Sequence, residues 1–215
     1  MRLRSIKAIM FDFPVYIITH PFKGFDDMKF LKRGDMRYAV AIMIIAGVVE
    51  ILRVGYTGFM VTGFWSETRD LNIPALLLFT YSPILLFCVA NWSITTITDG
   101  KGSLREIFLA YSYSMYIMIF CTILGVILSN FVTGAELAFV SFLFIFGMVA
   151  QYAYLFVGLI MIHEYTFFRA ILMVIATVLA MMIITFVFAL MVSLVSDVFW
   201  FFSTVYEELQ MHLIG

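Results

Sequence analysis

Two opposite charges stand inside an otherwise apolar stretch of the sequence. Glu50 and Arg53 follow the run AVAIMIIAGVV and precede Gly55, Gly58 and Gly63, which let neighbouring helices approach. A spacing of three residues puts both side chains on one face of a helix, where they can neutralise each other. Because ionisable groups are costly in hydrocarbon, the pair is a candidate intramembrane site for an ion or a lipid headgroup. The alternatives are a structural clasp between helices, or an Arg53 that reaches the headgroups.

A second concentration of polar residues reads NWSITTITDGKGSLRE over residues 91–106. Two glycines in this stretch permit a tight turn. Ser103 is a natural N-cap, and Glu106, three residues later, completes a capping box that opens a helix. The groups left over form a candidate partner-contact loop, made of Asp99, Gly100, Lys101, Gly102 and Arg105.

Motifs for catalysis and metal binding are incomplete. His163 and Glu164 begin like a zinc-protease motif, but the run is HEYTF and lacks the second histidine one turn later. Residues 100–103 resemble part of a phosphate-binding loop, yet the earlier glycine that such a loop requires is missing. The three histidines are scattered, and the sequence has no GxSxG serine motif. We therefore expect no catalytic, cofactor-binding or metal site, and no enzyme activity.

The composition places these residues in a membrane protein. Of the 215 residues, 64% are hydrophobic and 13% are charged, and the mean hydropathy is +1.06. Such a chain cannot cover itself with polar surface, which excludes a soluble enzyme, a disulfide-rich secreted module and a disordered protein. The net charge of −1 gives no support for nucleic-acid binding. Cys88 and Cys121 lie in apolar runs and are expected to fill space between helices.

Five apolar runs are long enough to cross a bilayer core, which takes about 20 helical residues. They cover residues 38–62, 73–97, 104–132, 137–162 and 168–202. The last run is too long for an untilted span, so its end at 198–202 is expected to turn along the interface. The predicted fold class is an all-α integral membrane bundle of five transmembrane helices. Residues 1–215 then form a single membrane domain, with a tail at 203–215.

The segment before the first span, residues 1–37, is predicted to lie on the cytoplasmic membrane surface as short amphipathic helices. Asp12 and Pro14 interrupt its first apolar stretch, which argues against a cleaved signal peptide. Pro21 is expected to open a second helix. The apolar residues of the first helix that are expected to dip into the bilayer are Phe11, Phe13, Tyr16, Ile17 and Ile18.

The positions of the basic residues predict the orientation, because Lys and Arg are retained on the cytoplasmic side. Eight basic residues precede the first span, and with five spans Lys101, Arg105 and Arg169 fall on the same side. Arg69 alone lies in a loop on the other side. The N-terminus is therefore expected in the cytoplasm and the C-terminus outside.

The run THPFKGFDDMK, the five crowded spans and the stretch NWSITTITDGKGSLREIFLAYSYS resemble the bacterial branch of the Yip family. This family is named for eukaryotic members that bind Ypt and Rab GTPases. The similarity covers about residues 15–205 and is most specific between Asn91 and Tyr113. It implies a five-span bundle with a cytoplasmic N-terminus. Rab binding is not expected, because the segment before the first span has only about 37 residues and the first span lacks the eukaryotic DLYGP motif.

Two functions from different classes follow. The first is a non-enzymatic scaffold, adaptor or accessory subunit that binds other membrane proteins through its helix faces and the Asp99 to Arg105 loop. The resemblance adds sugar-uptake transporter components as partners and a prokaryotic plasma membrane as the location. The second is a small transporter, channel or lipid-moving protein that uses Glu50 and Arg53. The expected partners are the lipid bilayer and other membrane proteins, without nucleic acid, and a homo-oligomer stays open.

Overall fold

The computed structural model describes residues 13–58 and 72–214, and in these ranges every regular element is helical. The α-helices are α1 (Phe13–Thr19), α2 (Pro21–Phe30), α3 (Met36–Tyr56), α4 (Ile73–Ile97), α5 (Leu104–Ser129), α6 (Leu137–His163) and α7 (Phe167–Ile214), with a 3₁₀ turn at Gly134–Glu136. Within the described ranges α3 to α7 are the five helices long and apolar enough to cross a membrane. The predicted fold class is confirmed.

Some sequence-based expectations concern residues outside the described ranges. These residues are Arg2, Arg4, Lys7, Phe11, Asp12, Gly63 and Arg69, together with 59–62 of the first predicted span. The treatment of residues 1–215 as one membrane domain, with a tail at 203–215, stays a prediction.

The last helix differs from its predicted form. Instead of turning at 198–202, α7 continues as one helix of 48 residues to Ile214. The reason is local, because residues 167–214 contain no glycine or proline that would interrupt the backbone hydrogen bonds. At 1.5 Å per residue the helix is about 72 Å long.

Helix α5 lies at the centre of the bundle. It packs against α1, α3, α4 and α6, and its buried residues occur on all sides, among them Ala110, Tyr113 and Met115. Serine hydroxyls on this buried helix are satisfied within it, as where Ser114 Oγ donates to the Ala110 carbonyl at 2.7 Å. Cys88 and Cys121 are both unpaired and buried, in agreement with their predicted role in packing.

The two short helices before the first span pack against the bundle. Phe13 and Ile17 of α1 are buried, and the Phe13 ring meets the Tyr113 ring edge-on at 5.5 Å between centroids. Tyr154 on α6 donates its hydroxyl to the Ile18 carbonyl at 2.6 Å. Phe25 of α2 is fully buried beside Gly158. The apolar residues Phe13 and Ile17, expected to dip into lipid, therefore face protein instead.

The crossing of α1 and α2 depends on a glycine. A Cβ atom added to Gly24 would lie 2.8 Å from Ile17 Cα, a backbone atom that cannot rotate away. We expect Gly24→Ala to destabilise the protein by about 1–3 kcal/mol, because overpacking outweighs the better helix propensity of alanine. Thermal unfolding in detergent measures the effect. Gly134→Ala is the matched control, since a Cβ there meets nothing within 4 Å; equal melting temperatures for the two variants would contradict the prediction.

Candidate functional site

The candidate site lies where the loop between α4 and α5 meets the turn between α6 and α7. His163, the last residue of α6, is only 2% exposed and lies beneath the loop. Its Nδ1 accepts a hydrogen bond from the Gly102 backbone N–H at 3.2 Å. Its Nε2 lies 3.2 Å from Asn91 Oδ1. Because Nδ1 is an acceptor here, Nε2 carries the proton and donates to Asn91, which assigns the neutral tautomer.

A buried hydrogen-bond chain continues from Asn91 into α7. Asn91 Nδ2 donates to Thr177 Oγ1 at 3.0 Å, and the Thr177 hydroxyl donates to the Met173 carbonyl at 2.7 Å. Asn91 is 1% exposed and Thr177 is fully buried. The chain Gly102–His163–Asn91–Thr177 thus joins the loop to α4, α6 and α7, and each member satisfies a polar group that burial would otherwise penalise.

Close approach explains the two glycines of the loop. The Gly100 N–H donates to the Thr95 carbonyl at 2.7 Å. A Cβ on Gly100 would come within 2.5 Å of the Tyr165 hydroxyl, and one on Gly102 within 2.5 Å of His163 Cε1. Larger residues would therefore lift the loop from the turn beneath it.

Glu164 connects the end of α6 with α2 and with the loop through two ion pairs. It follows α6 in the left-handed conformation, with φ at 55°. Its Oε1 accepts from Lys29 Nζ of α2 at 2.6 Å, and its Oε2 accepts from Lys101 Nζ of the loop at 2.5 Å. Lys29 also donates to the Ile162 carbonyl at 2.7 Å. Hydrogen bonds from Lys101, and next from Lys29, lower the pKa of Glu164 to about 2.

The predicted loop residues have different roles in this arrangement. Gly100 and Gly102 are half-buried against the turn, whereas Asp99 and Arg105 are exposed, as is the Lys101 side chain at 65%. The predicted capping box is confirmed, since Ser103 and Glu106 bond each other's backbone N–H groups. The role of the loop as a partner contact stays a prediction.

Sequence reasoning missed the residues that hold the loop. His163 stood out only as part of an incomplete metal motif, and Asn91 only as the first residue of the polar stretch 91–106. Thr177 did not stand out at all. The available signal was burial: a polar side chain deep in an apolar helix needs a partner. Which partner it finds depends on how the helices pack. Among the described residues no three His, Cys, Asp or Glu side chains are placed to hold a metal ion.

The other predicted site, Glu50 with Arg53, is at the opposite end of the bundle. There the C-terminal ends of α3 and α5 are in contact. Asn130 Nδ2 donates a hydrogen bond to the Tyr56 carbonyl at 3.0 Å. Arg53 Nε and Nη2 donate to the two Glu50 carboxylate oxygens at 2.8 and 2.5 Å. The pair lies in the last two turns of α3, and the Arg53 side chain is 43% exposed. This geometry favours an ion pair whose two charges neutralise each other, and its role as a functional site stays a prediction.

Removing the His163 ring tests the buried chain. His163→Leu leaves the Gly102 N–H and the Asn91 side-chain oxygen without their partners, so we expect a loss of about 2–4 kcal/mol of stability. Thermal unfolding in detergent measures this loss, and faster hydrogen exchange at residues 100–103 localises it. His20→Leu is the control, because His20 is exposed. Unchanged exchange in the loop would show that the ring does not hold it.

Glu164 predicts a pH dependence. Its folded pKa of about 2 is below the ordinary value of 4.5, so its ion pairs stabilise the fold above pH 4.5 and lose this effect as the pH falls towards 2. The difference in melting temperature between the native chain and Glu164→Gln should therefore shrink across this window. A difference that stays constant as the pH falls would exclude this role for the carboxylate.

Comparisons with known proteins agree with this architecture. The family model described as the Yip1 domain matches residues 15–189, which include most of α1, all of α2 to α6 and the first half of α7. No curated protein and no solved structure matches the chain. The matched region covers most of the 215 residues. The chain therefore belongs to the Yip1 domain family.

Proposed function

We propose that this integral membrane protein is a non-enzymatic scaffold or adaptor, or an accessory subunit, that binds other membrane proteins. Proteins of its family are generally non-enzymatic membrane proteins. The proposal includes the predicted orientation, with the N-terminus in the cytoplasm of a prokaryotic cell. Sugar-uptake transporter components remain the partners that the family resemblance implies.

The observation that carries the proposal is the second part of α7. Over residues 185–211 every residue except Ser203 is exposed, and most of the side chains are large and apolar. We call this segment the α7 extension. A bilayer core is about 30 Å thick and helix tilt reaches about 40°, so lipid covers at most about 26 residues of a straight helix. The 48 residues of α7 exceed this length. A partner protein would cover the remainder.

The loop offers a second surface for a partner protein, and this surface is charged, whereas the α7 extension is apolar. The buried chain holds its backbone and Glu164 pairs with the Lys101 ammonium group, while Asp99, Lys101 and Arg105 are exposed on it. A rigid loop that displays charges loses little conformational entropy when a partner binds. Transport through Glu50 and Arg53 gains no comparable support, because each of these side chains is paired with the other.

Photo-crosslinking in native membranes tests the proposal. A photoreactive residue in place of Phe201, in the α7 extension, should give a protein adduct of one defined mass. The control is the same residue in place of Phe79 on α4, which is also exposed, at 73% against 64%, and should give lipid adducts only. Protein adducts at neither position, together with a lone monomer in several mild detergents, would contradict the adaptor proposal.

The yield of the same protein adduct measures how much the loop contributes to partner binding. Arg105→Glu and Lys101→Glu should lower its yield several-fold, because the first reverses an exposed charge and the second also breaks the ion pair between the loop and Glu164. Arg105 has no ion pair among the described residues, so its variant leaves the fold intact. Lys23→Glu, an exposed charge reversal on α2, controls for charge alone. Equal losses in all three variants would point to general electrostatics instead of a loop contact.

A further inference from the structure

Arg169 is held at the corner where α4 ends and α7 begins. Its Nη2 donates to the Thr98 carbonyl at 2.6 Å. Its guanidinium carbon lies 4.8 Å from the centroid of the Tyr165 ring, and Tyr165 itself is buried. A hydrogen bond and a cation–π contact therefore fix the position of a planar cation that is exposed on its outer side.

Most of the binding capacity of this guanidinium is unused. Arginine has five N–H donors, and the Thr98 carbonyl takes one of them. Within the described residues Arg169 forms no ion pair. The nearby carboxylates of Glu164 and Glu106 are engaged, the first with two lysines and the second in the capping box of α5. Asp99 is exposed but does not pair with Arg169.

The position of Arg169 in α7 adds to its positive potential. A helix N-terminus carries a partial positive charge and favours acidic side chains in its first turn. The first turn of α7 contains no acidic residue and places Arg169 there instead. The same end of the helix therefore presents an arginine and the positive end of the dipole without a compensating anion from its own first turn.

The surroundings indicate where an anion would come from. Ile97 and Phe168, the residues before Thr98 and Arg169, are 80% and 79% exposed. Both lie at the ends of helices that are long and apolar enough to cross a membrane, so the guanidinium lies at the depth of the headgroups, above apolar side chains that suit acyl chains.

We propose that Arg169, held by Thr98 and Tyr165, binds the phosphate of an anionic phospholipid headgroup, with the acyl chains against Ile97 and Phe168. Guanidinium donors match two phosphate oxygens at once. An anionic headgroup is preferred over a zwitterionic one because no ammonium of the lipid competes for its phosphate. The site shares Thr98 with the start of the loop but uses neither the exposed loop residues Asp99, Lys101 and Arg105 nor the α7 extension, so its test does not depend on the adaptor proposal.

Native mass spectrometry tests the site. The full chain is reconstituted in vesicles of phosphatidylcholine and phosphatidylglycerol in equal amounts, and the lipids that stay bound are counted. The native chain should retain phosphatidylglycerol, and Arg169→Gln should reduce that retention about tenfold, the size expected for a charged hydrogen bond. Lys23→Gln removes an exposed positive charge elsewhere and should retain the lipid as the native chain does. Equal retention by Arg169→Gln and the native chain would overturn the proposal.

A second measurement needs no variant. A photoactivatable phosphatidylglycerol should label the native chain near residues 97–98 and 165–172, and labelling spread evenly over the helix ends would contradict the site. Inorganic phosphate, added to the chain in detergent, separates the two sources of a phosphate group. If it raises the melting temperature of the native chain but not of Arg169→Gln, while phosphatidylglycerol is not retained, a soluble phosphate is the ligand and the lipid proposal is wrong.

Discussion

The bundle depends on the satisfaction of buried polar groups at the end where the loop lies. In the apolar interior of a membrane bundle a buried N–H, amide or hydroxyl needs a hydrogen-bond partner, and one that lacks a partner destabilises the fold. The chain from Gly102 through His163 and Asn91 to Thr177 satisfies this requirement across a loop and three helices. Apolar contacts between the helices determine the distance between them, but these contacts allow one helix to slide along another. The directional bonds of this chain select one register of α4, α6 and α7.

The acidic residues at the two ends of the bundle are neutralised in different ways. At the Glu50 end the two charges belong to one helix and neutralise each other within a single turn. At the loop end Glu164 is shared between lysines from α2 and from the loop. The first arrangement is local and needs no tertiary structure, whereas the second exists only in the assembled protein. An ion pair between distant segments therefore reports on assembly in a way that the Glu50–Arg53 pair cannot.

How far the sequence predicts this structure depends on the range of the interactions. The five spans follow from hydropathy, and the Ser103 capping box from a spacing of three residues, because both are local. The length of α7 could have been read from the absence of glycine and proline after residue 167. By contrast, Phe13 and Ile17 are buried by contacts with other helices, as with Tyr113 on α5 and Gly24 on α2, and no single-helix pattern describes these contacts. The partners of His163 are 61 and 72 positions away and follow only from the packing.

The separation between Lys29 and Glu164 has a consequence for synthesis. The two residues are 135 positions apart, and all of α3 to α6 lies between them. During translation α1 and α2 are made before α3 to α6, but Lys29 cannot pair with Glu164 until α6 is complete. The side chains of Phe13 and Phe25 likewise become buried only after α5 and α6 have been made. Helices α1 and α2 are thus made before α3 to α6 but reach their final contacts only after α6.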